Sequence, residues 1–380
     1  MLAECIFYIC SAGLVWTYVL YPLVIGALAN ISPHPWKRAP FRGKATMIIA
    51  AHNEEAIIGK KLQNCLELDF GPCTWEVIVV SDGSTDATET ILTETASASN
   101  TLQIYMYQPR CGKAHALNVA EKKASGEILI FSDSNVFLEP DAPKELLAPF
   151  ADERVGAVCA RVLVRATEEK EIAGESLYMQ YEARVQKAEA IFYSMVGVDG
   201  ALFALRRELF RALSDEVILD DFTLSMRAPL SDMRIVYADK ARATEETTGS
   251  AYDEFKRKAR IVAGGLQFIR ALHSMEGTLK PRFWFMLLSH KILRWAAPIL
   301  LVGLLASSFF LSGRPLYTGA LAGQSIFYAL AACGLLIPKL RKNYFFYMPF
   351  YFCTVNAAAI VGFLRFLTGR QTVLWEKVQR

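Results

Sequence analysis

The chain has 380 residues, 53% of them hydrophobic and 21% charged, with a formal net charge of +3. The charged residues sit mostly between 37 and 294, which is the composition of a membrane protein with a soluble part, and so small a net charge gives no case for a nucleic-acid partner. The eight cysteines are scattered without a CxxC or a His/Cys cluster, so they read as reduced thiols facing a cytoplasm rather than a zinc site or a disulfide scaffold.

The apolar stretch Cys5 to Ala29 is long enough to cross a bilayer as a helix. Glu4 precedes it where a cleaved signal peptide needs basic residues, so a retained anchor is expected. Lys37, Arg38, Arg42 and Lys44 follow, which places the N-terminus outside and the next domain in the cytoplasm. Pro33, Pro35 and Pro40 make the link stiff and non-helical. The expected division is 1–36 anchor and linker, 37–277 cytoplasmic domain, and 278–380 a return to the membrane.

From Ala45 the pattern alternates. Strands are predicted at Thr46–Ala50, Glu76–Ser81, Leu102–Tyr107 and Glu127–Ser132, and helices over Ile57–Leu68, after Asp82–Thr88, and over Ala114–Ala124. Repeated βα units with short turns imply an α/β fold, a mostly parallel sheet with helices on both faces. Three polar turns, Ala51–Glu55, Ser81–Thr88 and Ser132–Asn135, all fall at strand C-termini, where open α/β sheets hold ligands. Any one of them could be an ordinary capped or Asx turn. Three on one edge read as a nucleotide site. Asp133 and Asn135, a carboxylate and an amide two residues apart, suit a hard divalent cation bridging phosphates. Gly112 and Lys113 do not make a Walker A loop, because the glycine spacing and the following Ser/Thr are missing.

The set AHNEE, SDGSTDAT, GKAHALN and FSDSN, in this order within residues 45–270, resembles the inverting family-2 glycosyltransferases of GT-A fold. The resemblance implies that Asn53 and Glu54 lie at the base and ribose end of a UDP-sugar and that Asp82 holds the uracil or ribose. It implies that Lys113 approaches the diphosphate. Asp133 and Asn135 then occupy the DxD positions that carry the metal, Mg²⁺ or Mn²⁺, with one charge fewer than two aspartates. Val198–Arg207 resembles the segment beneath the acceptor sugar, with Asp199 and Gly200 on the acceptor side. Ile218–Phe222 resembles the family motif whose last carboxylate is the base, which implies Asp221 as base with Asp220 beside it in the catalytic pair, an arrangement that leaves Asp220 free to cap the helix as well. An inverting transfer needs such a carboxylate to take the acceptor hydroxyl proton, and two adjacent carboxylates raise each other's pKa. Capping of the helix near Phe222 is the alternative for the pair. Arg257, Lys258, Arg260 and Ile261 stand where processive members such as cellulose and hyaluronan synthases carry QxxRW. Arg257 and Arg260 are expected at the leaving diphosphate. Ile261 replaces the stacking tryptophan, which argues against long-chain processivity. A solvated basic helix face near anionic lipid is the competing reading.

Pro281–Ser289 reads as a helix lying in the membrane interface, with spans over Trp295–Leu311, Leu316–Ile337 and Tyr344–Leu364. Lys339, Arg341 and Lys342 belong inside. The last span would put Arg365, Arg370, Lys377 and Arg380 outside, against the positive-inside rule, unless it is a re-entrant or interfacial hairpin. The function expected is transfer of a sugar from a UDP-sugar to a saccharide or lipid-linked acceptor at the cell membrane, with a polyprenyl phosphate as the alternative acceptor. A transporter or receptor is disfavoured, because the spans hold few ionisable residues.

Overall fold

The computed structural model describes residues 1–97, 100–165, 173–246 and 251–372, and its description omits the side chains of 164, 165, 173–178 and 246. Among the described residues the sheet has eight strands: β1 Lys44–Ala51, β2 Thr74–Asp82, β3 Leu102–Tyr107, β4 Ile128–Ser132, β5 Val136–Leu138, β6 Val155–Arg165, β7 Leu202–Arg206 and β8 Arg234–Glu246. Their order is β3-β2-β1-β4-β7-β6-β8-β5. The half from β3 to β4 is parallel, whereas β7 runs antiparallel to both β4 and β6. Strands β6 and β8 pair in parallel and β5 joins β8 antiparallel, so the sheet is mixed, with helices on both faces as expected. The α/β class and the four predicted strands stand, each end within about two residues.

Strand alternation explains why both faces are covered. Met47, Ile49, Val77, Val79 and Ile130 point into one core, against helices α2 Ile58–Leu66 and α3 Thr88–Ala96. Ile48, Ile78, Val80, Leu129 and Phe131 point into the other, against α4 Lys113–Lys123. Helix α5, Ala142–Leu147, packs in the first core. Helix α6, Ala173–Phe192, gives Ala190 to the second core and Val185 to a third. After β7 come two short helices, α7 Asp220–Ser225 and α8 Arg227–Leu230, and after β8 the helix α9 Ala251–Ala271.

Among the described residues four helices are long and apolar enough to cross a membrane: α1 Leu2–Ile31, α10 Pro281–Phe310, α11 Pro315–Leu336 and α12 Tyr344–Thr368. The third core joins α1 to α10 and to helices α6 and α9, through Tyr21, Ile25, Val185, Phe268, Phe283, Met286 and Leu287. Here one expectation is corrected. Pro281–Ser289 is not a separate interfacial helix, because α10 runs on unbroken through a π turn at Leu288–Ile292. Its first turns bury Phe283, Met286 and Leu287 against protein, which leaves that face no lipid to lie in. His290, 1% exposed, is held between Glu189 at 2.7 Å and Glu182 at 2.9 Å, both on α6. Glu189 also accepts from the Tyr21 hydroxyl and Glu182 from Arg294. This buried polar knot fixes α1 and α10 to the domain, since breaking any one pair strands a charge.

Helix α12 is one helix, not a hairpin. It runs beside α9, from Tyr351 at Glu254 (3.4 Å) to Phe366 under Arg270 (5.3 Å). Lys377 and Arg380 lie outside the described residues.

Candidate active site

The three polar turns meet at the carboxyl ends of β1, β2 and β4, and their side chains bind them to one another. Asn53 sits at φ 55°, accepts the Thr85 N–H at 2.7 Å, and donates its own N–H to Ser84 Oγ at 3.1 Å. Glu54, 7% exposed, accepts from Ser134 Oγ at 2.9 Å, while its N–H donates to Thr88 Oγ1 at 2.8 Å. Asp82 is 0% exposed. It accepts the N–H groups of Cys111 at 2.7 Å and Gly112 at 2.9 Å and the Tyr107 hydroxyl at 3.0 Å. A buried carboxylate needs such donors. Gly83, at φ +61°, lets the 107–112 loop close over the turn, because a Cβ there would stand 2.6 Å from Arg110 N.

At the centre is Lys113, the first residue of α4. Its Nζ lies 2.8 Å from Asp133 Oδ1 and 3.3 Å from Asp220 Oδ2. Burial works against its charge, but Asp133 and Asp220 outweigh it and hold the pKa above the usual lysine value. Asp221 has no such partner. Burial, and then the neighbouring Asp220 charge, push its pKa up to about 7, against the pull of Lys113. Its Oδ1 accepts the Phe222 N–H at 2.8 Å. Gly200 makes room for the other oxygen, since a Cβ at that position would lie 2.4 Å from Asp221 Oδ2. Of two adjacent carboxylates, one is neutralised by a lysine and the other is poised near neutral pH. That is the division a general base requires.

Asn135 donates its Nδ2 to Glu245 Oε1 at 3.3 Å. Burial raises the pKa of Glu245, Arg257 opposes the shift, and Asp199 and Asp133 add to it. Carboxylates thus outnumber cations here: Asp133, Asp199, Asp220, Asp221 and Glu245 face Lys113 and Arg257. Among the described residues no three His, Cys, Asp or Glu form a metal cage. A hard cation held by one carboxylate and by substrate phosphates needs none. The acidic excess and the Asp133–Asn135 pair fit such an ion.

A model of the family described as glycosyl transferase family 2 matches residues 46–214. The chain carries a glycosyltransferase family 2 domain. It is similar to a beta-monoglucosyldiacylglycerol synthase of Nostoc sp., 26% identical over 313 residues, covering 78% of this chain and 65% of that protein. A poly-beta-1,6-N-acetyl-D-glucosamine synthase of Staphylococcus aureus is 24% identical over 247 residues, covering 62% of this chain and 58% of that protein. The chain therefore spans just under two thirds of the first relative's length. Among solved structures, the mannosyltransferase PcManGT from Pyrobaculum calidifontis, in complex with GDP-Man and Mn²⁺, superposes with a TM-score of 0.75 at 23% identity. That match covers 97% of this chain and 100% of that one. The fold is GT-A.

The predicted residues fall both inside the matched stretch 46–214 and beyond it. Asp133, Lys113, Asp220 and Asp221 come together, and Gly200 touches Asp221. Asp199 is exposed beside them, its N–H 3.3 Å from Cys159 Sγ. Asp220 does not cap its helix, which corrects that expectation. The N-cap is Leu219, with no side-chain bond, and the Asp220 carboxylate is drawn to Lys113 instead. Arg257 pairs with Glu254 at 2.8 Å and is held charged by that partner, with Glu245 and Asp199 adding to it. Arg260 donates to the Ile218 carbonyl at 2.9 Å, two residues before Asp220, and so buttresses the loop that carries Asp221. Glu245 was missed by sequence reasoning, because nothing in Ala243–Glu246 distinguishes it from a surface strand. Lys61 was missed as well, although its signal was present: a lysine on the apolar face of α2.

Proposed function

We propose that this protein transfers a sugar from a UDP-sugar to an acceptor hydroxyl at the membrane surface, inverting the anomeric carbon. The observation that carries this reading is the Lys113–Asp220 pair beside an Asp221 whose pKa stands near 7. Asp221 takes the proton of the acceptor hydroxyl as that oxygen bonds to C1. The bond from C1 to the diphosphate oxygen breaks on the opposite face, and its electron pair leaves with the nucleoside diphosphate. Lys113 and Arg257 supply fixed positive charge beside the departing group. Asp133, with the amide oxygen of Asn135, would hold a Mg²⁺ or Mn²⁺ ion, which when bound neutralises the diphosphate charge.

The acceptor is a lipid or lipid-linked saccharide. The first relative is named for making a glucosyl diacylglycerol, and α9 presents Ile261 where processive enzymes stack a tryptophan. An apolar side chain without a flat π surface grips a sugar weakly. Addition of one or a few sugars per encounter is therefore expected. Size analysis at low enzyme and excess donor checks it, and long polymer beside untouched acceptor would contradict it. The donor is tested by offering radiolabelled UDP-glucose, UDP-N-acetylglucosamine, UDP-galactose and GDP-mannose to membranes holding the protein. Label from a UDP-sugar in the organic phase is expected. Label from GDP-mannose alone would overturn the UDP assignment.

The catalytic domain faces the cytoplasm, and the C-terminus lies on the same side. Helix α12 follows α9 of the soluble domain along much of its length, and Gly362 sits so close that a Cβ would meet the Ala259 carbonyl oxygen at 2.4 Å. A helix tied in this way lies along the domain, and Arg365 and Arg370 then obey the positive-inside rule. Cysteine placed at 370 is expected to react with impermeant maleimide only when the cytoplasmic face is open. Labelling of intact cells would contradict this placement.

A further inference from the structure

Helix α2 presents four residues to the core. Ile58, Leu62 and Cys65 are apolar, and the fourth is Lys61, 0% exposed. An ammonium enclosed in a core is costly unless its donors are used. Those of Lys61 are aimed at one place. Its Nζ donates to Ser132 Oγ at 2.7 Å and to the Val136 carbonyl oxygen at 2.5 Å. Ser132 is the last residue of β4 and Val136 the first of β5, and the turn between them is Asp133–Asn135. One turn further along α2, Asn64 closes on both backbone groups of Leu138, at 2.9 Å each. From the opposite side, Asp133 N donates to the Ala201 carbonyl at 3.1 Å, and Ser134 is held by Glu54.

We propose that Lys61 is a positioning residue for the donor and cation site, its Nζ fixing the span from Ser132 to Val136 so that Asp133 and Asn135 stand on the sheet edge. This rests on the reading of that edge as the nucleotide-sugar site. Lys61 touches neither donor nor cation. It sets the shape of the turn from beneath, through hydrogen bonds that no other side chain described there supplies.

Lys61→Met keeps most of the volume and removes the donors. Two measurements are made on the full-length protein: amide exchange of the peptide over 128–138, and Mn²⁺·UDP titration followed by the Mn²⁺ electron paramagnetic resonance signal. The variant is expected to exchange faster at 132–137 and to bind Mn²⁺·UDP at least tenfold more weakly. Its acceptor KM and the pH limb of turnover should stay as in the wild type, which a general loosening would not allow. If Lys61→Met fails to fold, Ser132→Ala removes one of the two acceptors and is expected to show the same changes at about threefold. Unchanged exchange, or faster exchange with unchanged Mn²⁺·UDP binding, would overturn the role of Lys61 while leaving the donor site standing. A wild-type protein that binds no Mn²⁺·UDP would overturn the donor site itself, and the inference with it.

Discussion

Asp221→Asn is expected to lower turnover by about a thousandfold while UDP binding stays within about twofold. The size follows from removing a general base, a loss of about 10²–10⁴-fold. The selectivity follows from timing, since the proton moves only as the acceptor attacks. The wild-type rate should rise with pH through a limb near 7, because only the ionised Asp221 accepts a proton and its pKa is pushed up to about 7. The stability effect has the opposite sign. In the folded state Asp221 keeps a proton that the unfolded chain releases near the ordinary carboxylate value, so this group destabilises the fold as pH rises between the two. Asp221→Asn should therefore melt at or above the wild-type temperature at pH 8, which separates loss of chemistry from loss of fold. Rate assays from pH 5 to 9, calorimetric UDP titration and thermal melts check all three. Near-normal turnover in the variant would remove Asp221 from the mechanism.

Asp133→Ala is expected to abolish the dependence on divalent cation and to weaken UDP binding at least tenfold, since losing even a group that only supports a bound metal costs about 10–100-fold in metal affinity. Two effects combine. The carboxylate suited to the ion is gone, and Lys113 loses its 2.8 Å partner and keeps only Asp220 at 3.3 Å. Asn135→Ala should show a milder form of the defect, because the amide contributes no charge and half of it is spent on Glu245. UDP titrations with and without Mn²⁺ measure both. Normal UDP affinity and retained metal dependence in Asp133→Ala would move the cation site elsewhere.

The parallel half of the fold was legible because its strands are short, apolar on both faces and punctuated by polar turns. Each is a local signal, and Ile128–Phe131 running into Ser132–Asn135 is the plainest. The other half of the sheet, from β7 to β5, was not legible. β6, β7 and β8 owe their places to long-range pairing, such as Leu129 opposite Leu205, which no local period reports. The site divides the same way. Asp133, Lys113 and Asp221 stand in recognisable strings, whereas Glu245 earns its place only by lying across from Asn135. Asp220 was read both as part of the catalytic pair and as a cap, because a helix start and an ion pair use the same residue, and the position of Lys113 removes the cap. The unbroken α10 was misread because a basic cluster, His290 to Arg294, resembles a membrane boundary in sequence. In the fold, His290, Lys291 and Arg294 instead meet Glu182, with Glu189 also on His290.

The proposed chemistry is a single displacement at C1 assisted by one base, and the anomeric configuration of the product tests it most directly. Purified full-length protein, given an α-linked UDP-sugar and acceptor in lipid nanodiscs, should yield a β-linked product by proton NMR of the anomeric hydrogen. An α-linked product would require a covalent intermediate on a carboxylate nucleophile and two displacements, and would contradict the account.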